Sequence, residues 1–585
     1  MLTNLRAFID VLRARKLLTV IDAPVSTELE VAEIHRRVIS DQGPALLFTN
    51  VKDADFPLVT NLFGTKERVE LAFGPRPEEL IRQVAALPHT LMPPSLGKLW
   101  GHRKLLGALA RVGLSRGRAG PVTEVMQNTP KLSRIPMLKT WIEDGGHFIT
   151  LPLVYTEHPE TKVGNLGMYR IQRYDDATTG MHWQIGKGGG FHHAVAKARG
   201  EKLPVNIFVG GPPALILSAI APLPENVPEL LLASLVQGKR LGLINTPHSP
   251  LPLVSECEFV LSGTVDPVEL RPEGPFGDHY GYYSLRHDYP VFRVNKLFHR
   301  KDAIFPATVV GKPRQEDFFI GDYLQQLLSP LFPVVMPSVL DLWSYGETGY
   351  HSLAAAVVQE RYKREALVSA FRILGEGQLA LTKFLLLTNH RQDLKDFKAV
   401  LEHVLARFVP ETDLYVFSHL SMDTLDYAGP KVNEGSKGVL CGIGEPVRDL
   451  PADFSGILPL GVRRVVPYCR GCLVVEGEQS FLDDPGRAAE LCLHPDFGAW
   501  PLLVLVDDAA KATRSTQDFL WTTFTRFEPA ADIHSKHQRI ARGHVSHTGP
   551  ICIDSRMKPW YPGELFCDPA TAKLVDSRWR EYFPA

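Results

Sequence analysis

A chain of 585 residues is too long for one core and predicts three or four domains, and 44% hydrophobic with 22% charged residues is ordinary globular composition. Acids and bases nearly cancel at a formal net charge of −1, which removes the broad attraction a nucleic-acid binder uses. Seven scattered cysteines, early charges at Arg6, Asp10, Arg13, Arg15 and Lys16, and a longest apolar run (Pro213 to Leu223) too short to cross a bilayer argue against a disulfide scaffold, a secretory leader and a spanning segment, leaving the cytoplasm as the expected compartment.

At the start, Leu5, Phe8, Ile9 and Leu12 recur at helical spacing and predict an amphipathic helix leading into a short apolar segment, Leu17 to Ile21. G-P-A-L-L-F at Gly43 to Phe48 and F-P-L-V at Phe56 to Val59 read as buried strands, so residues 1–120 are expected to form an N-terminal α/β domain. Lys98 to Arg118 is basic and broken by glycines, the pattern of a solvated helical connector. Over 121–305 short strand candidates take over, among them Phe148 to Tyr155, Val205 to Val209, Arg240 to Ile244 and Cys257 to Leu261, which predicts a β-rich domain. One helix interrupts it, entered at Pro228 and Glu229 and closed by Gly238. Over 320–450, stretches such as Ala354 to Ala370 and Lys383 to Thr388 predict a second α/β domain. The remainder, 451–585, carries an internal echo: D-F-L-W-T-T-F-T-R-F-E-P-A-A-D (Asp518 to Asp532) resembles D-F-K-A-V-L-E-H-V-L-A-R-F-V-P-E-T-D (Asp396 to Asp413), each after an apolar strand, as a partly duplicated strand-helix unit would. Cys469 and Cys472 have CxxC spacing without the second pair a structural zinc site uses, and read as idle thiols.

Chemistry concentrates in E-G-P-F-G-D-H-Y-G-Y-Y, Glu273 to Tyr283. Gly274, Pro275 and Gly277 form a turn that continues neither helix nor strand, and the flanking carboxylates are candidates to converge. Two carboxyl groups held close split their proton affinities, which favours one neutral donor. Taken alone, the same stretch also describes a surface turn with two solvated acids. In N-L-G-M-Y-R, Asn165 to Arg170, the guanidinium of Arg170 can pair with that loop or hold a substrate carboxylate or flavin carbonyl. Asn165, Glu229 and a nearby His would suit magnesium or manganese bridging a phosphate, although each is singly more often structural.

With these stretches in place, the sequence resembles the UbiD family of decarboxylases over about residues 5 to 450. The resemblance is carried by Gly43 to Phe48, N-L-F-G-T (Asn61 to Thr65), Asn165 to Arg170, G-P-P-A-L-I-L (Gly211 to Leu217), Glu229, the Glu273 loop and G-S-K (Gly435 to Lys437). It implies a multidomain α/β fold with a central split β-barrel that binds prenylated FMN, flanked by N-terminal and C-terminal α/β domains. A divalent metal, Mn2+ or Mg2+, and K+ would sit at the cofactor phosphate. Arg170, Glu273 and Asp278 would be the catalytic trio, Asn165 and Glu229 metal ligands, Met168, Tyr169, Arg170 and Pro222 cofactor contacts, and Lys437 a reach to the phosphate. The implied reaction is non-oxidative, reversible in principle, on an aromatic acid of hydroxybenzoate type, polyprenylated in a quinone-precursor version. A flavin prenyltransferase would supply the cofactor, and a homo-oligomer, dimer or hexamer, is expected. Such a cofactor is needed because the electrons left on an sp² carbon by departing carbon dioxide have no acceptor among amino-acid side chains. Asp278 is expected to return the proton while Glu273 and Arg170 orient it.

Two departures from the family pattern stand out. Family members place a metal-binding His soon after an M-x-W segment, but here M-H-W-Q-I-G-K-G-G-G-F-H-H has Gly186 or Lys187 at that place. The ligand is expected from His192, then His193, then His182, since a glycine run before a helix start can bring an imidazole to a phosphate. Asp278 stands where some relatives have Glu, one methylene longer. R-M-K-P-W-Y-P, Arg556 to Pro562, is expected to pack on its own domain. Two competing readings are a flavin reductase, whose hydride chemistry needs no carboxylate pair opposite an Arg, and a non-catalytic subunit whose altered histidine segment has lost its metal.

Overall fold

The computed structural model describes residues 2–93, 95–183, 188–223, 228–312, 314–478 and 480–584. Gly186 and Lys187, where the family histidine is expected, lie outside them. The chain forms two compact units, Met1–Leu327 with Gly563–Ala585, and Leu328–Pro562.

In the first unit the amphipathic helix is Leu5–Ala14, capped by Asn4, whose side chain accepts from the Ala7 amide, and it buries Leu5, Phe8, Ile9 and Leu12. Strands Leu18–Ile21, Ala45–Phe48, Leu58–Thr60 and Phe305–Pro306 form one sheet in that order. The β-rich part is an antiparallel seven-stranded sheet. Its hydrogen-bonded path runs Thr178–Gly180, His287–His299, Phe259–Glu273, Leu203–Val209, Leu153–Glu157, Gly164–Gly167, and Val125–Gln127 pairs with His287–His299 off that path. Among the described residues no pairing joins its two end strands, so closure of the expected split barrel is not seen. One face of this sheet packs a core of Val205, Ile207, Phe259, Leu261, Phe292 and Val294. Helix Glu229–Gln237 begins after Pro228 and ends at Gly238, whose φ of 72° is the left-handed cap that glycine adopts without cost.

The second unit repeats one plan twice. Strands Val339–Ser344, Leu353–Val358, Phe384–Thr388, Glu434–Gly442 and Leu414–Ser421 pair in that order, antiparallel, parallel, parallel, antiparallel. Val462–Cys469, Cys472–Gly477, Leu502–Val506, His544–Asp554 and Ile533–Ala541 do the same. The sequence echo falls on equivalent elements: helices Phe397–Leu405 and Thr516–Arg526, then the short helices Pro410–Asp413 and Pro529–Asp532. Phe397, Phe519 and Phe524 share one core. Cys469 and Cys472 face each other across a hairpin as free thiols.

Candidate active site

Glu273 ends the long strand Phe259–Glu273, and residues 274–286 return the chain to strand His287–His299. Gly274 has φ 88°, a conformation only glycine takes freely, and a Cβ at Gly277 would lie 2.1 Å from the Trp141 ring. Backbone and buried polar groups lock the turn: the Gly145 amide donates to the Pro275 carbonyl (2.8 Å), the Gly274 amide to Gln172 Oε1 (2.7 Å) and the Gly277 amide to Asp144 Oδ1 (2.8 Å). The other oxygen of Asp144 takes the Thr140 amide and hydroxyl and the Trp141 amide, at 2.9, 2.8 and 2.9 Å. From far along the chain, Gly563 and Leu565 strap the turn. The Tyr283 amide donates to the Gly563 carbonyl and the Leu565 amide to the Gly281 carbonyl, both at 3.0 Å, and Leu565 packs with Trp141 and Tyr283.

Arg170 meets both carboxylates of this loop. Its Nε and Nη2 donate to Glu273 Oε1 and Oε2 at 2.8 and 3.0 Å, Nη1 to Asp278 Oδ2 at 2.5 Å, and Nη2 also to Ser284 Oγ at 2.9 Å. The guanidinium lies over the Phe276 ring, 4.8 Å from its centroid. His182 Nδ1 is 3.1 Å from Glu273 Oε2, and His279 Nδ1 is 2.6 Å from Asp278 Oδ1. The trio named from sequence is therefore one buried cluster. His182, ranked last as a metal ligand, is spent on Glu273.

Burial alone raises a carboxyl, yet the Arg170 charge with hydrogen bonds from His182 and Arg170 holds Glu273 at about 2. Asp278 is also pushed up by burial and is brought well below the usual carboxylate range by the His279 hydrogen bond and charge and by Arg170. His182 is lowered by burial and by the Arg170 charge, which keeps it neutral. At rest the centre thus holds one guanidinium and two carboxylates; the neutral donor expected from two adjacent carboxyl groups is absent, because Arg170 and the two histidines hold both acids ionised.

The remaining expected residues gather at the strand Gly164–Gly167 or away from it. Asn165 lies directly across the sheet from Thr156, and Thr156 Oγ1 is 2.8 Å from His192 Nδ1. Glu229, at the first position of its helix, accepts the Leu166 amide at 2.9 Å, and burial raises its carboxyl. The first described residues of helix Gly188–Ala198 lie close to this strand: a Cβ at Gly188 would fall 2.0 Å from Asn165 Oδ1, and one at Gly189 2.7 Å from Trp183 Nε1. Near Gly188, and among the described residues, Asn165 Nδ2, Trp183 Nε1 and His193 Nε2 are buried without a hydrogen-bond partner, three nitrogens suited to an anion. These features fit a phosphate-bearing cofactor. Among the described residues no three His, Cys, Asp or Glu side chains converge as a metal cluster. Burial and then His158 lower the His192 imidazole to about 4, which leaves it neutral.

Tyr169 is buried and Met168 half-buried beside the core, whereas Pro222 is exposed in the loop leaving helix Pro213–Ile220. Lys437 belongs to the second unit, where its Nζ donates to the Thr382 carbonyl at 2.9 Å and burial lowers it to about 8. A cavity of about 330 Å³ lined by Asp55, Phe56, Arg134 and Leu297 includes none of the trio. Sequence reasoning missed Ser284, His279, Asp144 and the Gly563–Leu565 strap; only His279, inside the motif itself, carried a local signal.

Residues 9–87, 114–313 and 318–442 match the family models for the N-terminal, Rift-related and C-terminal domains of 3-octaprenyl-4-hydroxybenzoate carboxy-lyase, UbiD. Over 581 residues the chain is 52% identical to a 4-hydroxybenzoate decarboxylase subunit from Chlamydia pneumoniae, covering 99% of this chain and 98% of that one. The vanillic acid decarboxylase of Sedimentibacter hydroxybenzoicus, in closed form, superposes with a TM-score of 0.68 at 20% identity over 78% of this chain and 96% of its own. An evolved dimeric form of the UbiD-class enzyme HmfF from Pelotomaculum thermopropionicum, in complex with prFMN, gives 0.62 at 20% over 78% and 97%. Both structures are shorter than this chain and share its fold.

Proposed function

The chain belongs to the UbiD family of carboxy-lyases, and on that footing we propose that it releases carbon dioxide from an aromatic, hydroxybenzoate-type acid, with prenylated FMN bound beside Arg170, Glu273 and Asp278. The observation that carries the reading is the sealed pairing of one guanidinium with two carboxylates on a loop that five backbone or side-chain hydrogen bonds hold in place. Supporting it, the Chlamydia pneumoniae relative is named for 4-hydroxybenzoate, the Sedimentibacter structure for vanillic acid, and the Pelotomaculum structure contains prFMN. The polyprenylated substrate in the family description is the finer version of the same reading.

When bound, prenylated FMN supplies the electron sink that side chains lack. Met168, Tyr169 and Arg170 would line its ring system, with Pro222 at the rim. The nitrogens of Asn165, Trp183 and His193 would face its phosphate. Asn165 and Glu229 would hold Mn2+ or Mg2+ there, with K+ beside it and His192 the third candidate ligand. Arg170 fixes the two carboxylates and offers charge to an incoming substrate carboxylate. Glu273 and neutral His182 hold the guanidinium in one orientation. Each turnover consumes one proton at the carbon that lost carbon dioxide, and Asp278 delivers it. Because Asp278 rests as a carboxylate, it must first take that proton, and His279, on its other oxygen, is positioned to pass it from solvent. A flavin reductase would have no use for this arrangement.

The test is expression with a flavin prenyltransferase, mass spectrometry of the released cofactor, and carbon dioxide release from 4-hydroxybenzoate and its 3-polyprenyl derivative. The reading expects prenylated FMN and turnover of at least one acid. Ordinary FMN only, with reductase activity and no carbon dioxide, would defeat it.

A further inference from the structure

We propose that the segment Met92 to Gly120 is a docking surface for an anionic phospholipid bilayer. Its sequence carries Lys98, Arg103, Lys104, Arg111, Arg116 and Arg118 and no Asp or Glu, in a chain whose overall formal charge is only −1. The basic charge is therefore local.

Leu105 is buried and Leu114 packs against the core, but four apolar side chains of this segment point outward. Leu96 is 86% exposed, Trp100 72%, Met92 64% and Leu109 45%, values that rule out a role in this unit's core. Leu96 and Trp100 are four residues apart on helix Leu96–Gly101 and so share one face. Arg103, on the next helix, lies 5.7 Å from the Trp100 ring, and Lys98 donates to the Met92 and Pro93 carbonyls at 3.0 Å each, which ties the Met92 turn to the Trp100 helix. Behind these helices, Arg116 and Arg118 alternate along and just beyond the edge strand Leu114–Gly117. With Arg111 they are exposed and form no ion pair among the described residues. The acidic residues Glu78 and Glu79 lie at the far end of the preceding helix, Arg76–Leu91.

A bulky aromatic and aliphatic tip ringed by cations is the composition of a surface that sits at the headgroup boundary, with Trp at the interface and Arg and Lys toward phosphate. Among the described residues no helix is long and apolar enough to cross a membrane, and the proposed contact is a superficial one. A second copy of this chain is disfavoured, because a two-fold contact would press the same cations against each other. The proposal stands apart from the substrate reading; a prenylated substrate would simply be met where it dissolves.

Co-sedimentation of the full-length protein with vesicles of phosphatidylcholine plus phosphatidylglycerol, and of phosphatidylcholine alone, tests it. Binding is expected to the anionic vesicles and to weaken with salt. Arg111→Gln with Arg116→Gln and Arg118→Gln should lower the partition coefficient about a hundredfold, each cation near such a surface contributing about fivefold. Trp100→Phe should still bind but lose tryptophan quenching by brominated acyl chains, and Leu96→Ala with Trp100→Ala should lose both. Thermal unfolding of these variants should match the wild type. Equal partition onto both vesicle types, or binding unchanged in the triple variant, overturns the proposal. So does a wild type that stays in the supernatant; if it is then retained on polyglutamate in a salt-sensitive way that the triple variant loses, the patch serves an acidic protein.

Discussion

Glu273→Gln removes a charge from the centre while keeping its shape. Glu273 accepts from Arg170 at 2.8 and 3.0 Å and pairs with His182 at 3.1 Å, its side chain sealed from water. Burial would raise its carboxyl, but the Arg170 charge and the two partners hold it at about 2, below its ordinary 4.5. At about 1.4 kcal/mol per pH unit, that depression corresponds to about 3 kcal/mol of folding free energy. A glutamine cannot recover it, since Arg170 donates to both carboxylate oxygens and the amide nitrogen would set donor against donor at one of them, and the guanidinium is left with one charged partner in a buried site. A carboxyl held low in the folded state contributes fully above its unfolded value of 4.5, and the contribution fades as pH falls toward about 2. Urea unfolding of the site-bearing unit should therefore show wild type ahead of Glu273→Gln by about 3 kcal/mol at neutral pH, the gap narrowing below about pH 4. A gap that is absent at neutral pH, or that does not narrow on acidification, would refute the electrostatic account of this centre.

Gly277→Ala would drive a Cβ to 2.1 Å from a Trp141 ring that is pinned through its Nε1 bond to the Val310 carbonyl at 3.0 Å. A loss of about 1 to 3 kcal/mol in chemical denaturation is expected, with reduced turnover. Leu565→Ala should loosen the strap, seen as faster hydrogen exchange at the Tyr283 amide, which donates to Gly563. Asp317, in the first turn of helix Glu316–Leu328, has both carboxylate oxygens sealed and without a partner among the described residues, and burial pushes it up to about 7 against the pull of His279. Raised in this way, it favours the folded state below its unfolded 3.8 and loses that contribution as pH rises to about 7. Asp317→Asn should gain on wild type over that window by about 3 kcal/mol, allowing for the part of the residue that reaches solvent. An unchanged pH dependence of unfolding would count against it.

The Glu273 loop was legible because glycine and proline leave few conformations for G-P-F-G, so its two acids had few places to go. Arg170 was legible as its partner through the N-L-G-M-Y-R motif. The groups that hold these side chains were not: Ser284 and Asp144 matter only for what the fold brings against them, His182 was read as a metal ligand instead, and no local pattern marks a serine that will meet an arginine. The Gly563–Leu565 strap is likewise invisible, since backbone hydrogen bonds use atoms every residue has. In the second unit the echo showed in helices, where phenylalanine positions repeat, while the matching strands read as generic apolar runs.

The central claim is that a proton passes through Asp278 to the carbon that loses carbon dioxide. Decarboxylation in D2O by the cofactor-loaded protein, followed by mass spectrometry and NMR of the product, reads this directly. The account predicts one deuterium at the vacated carbon for wild type, and for Asp278→Asn a turnover lower by about 10² to 10⁴ with the cofactor still bound. Asp278→Asn that decarboxylates and labels at the wild-type rate would contradict it.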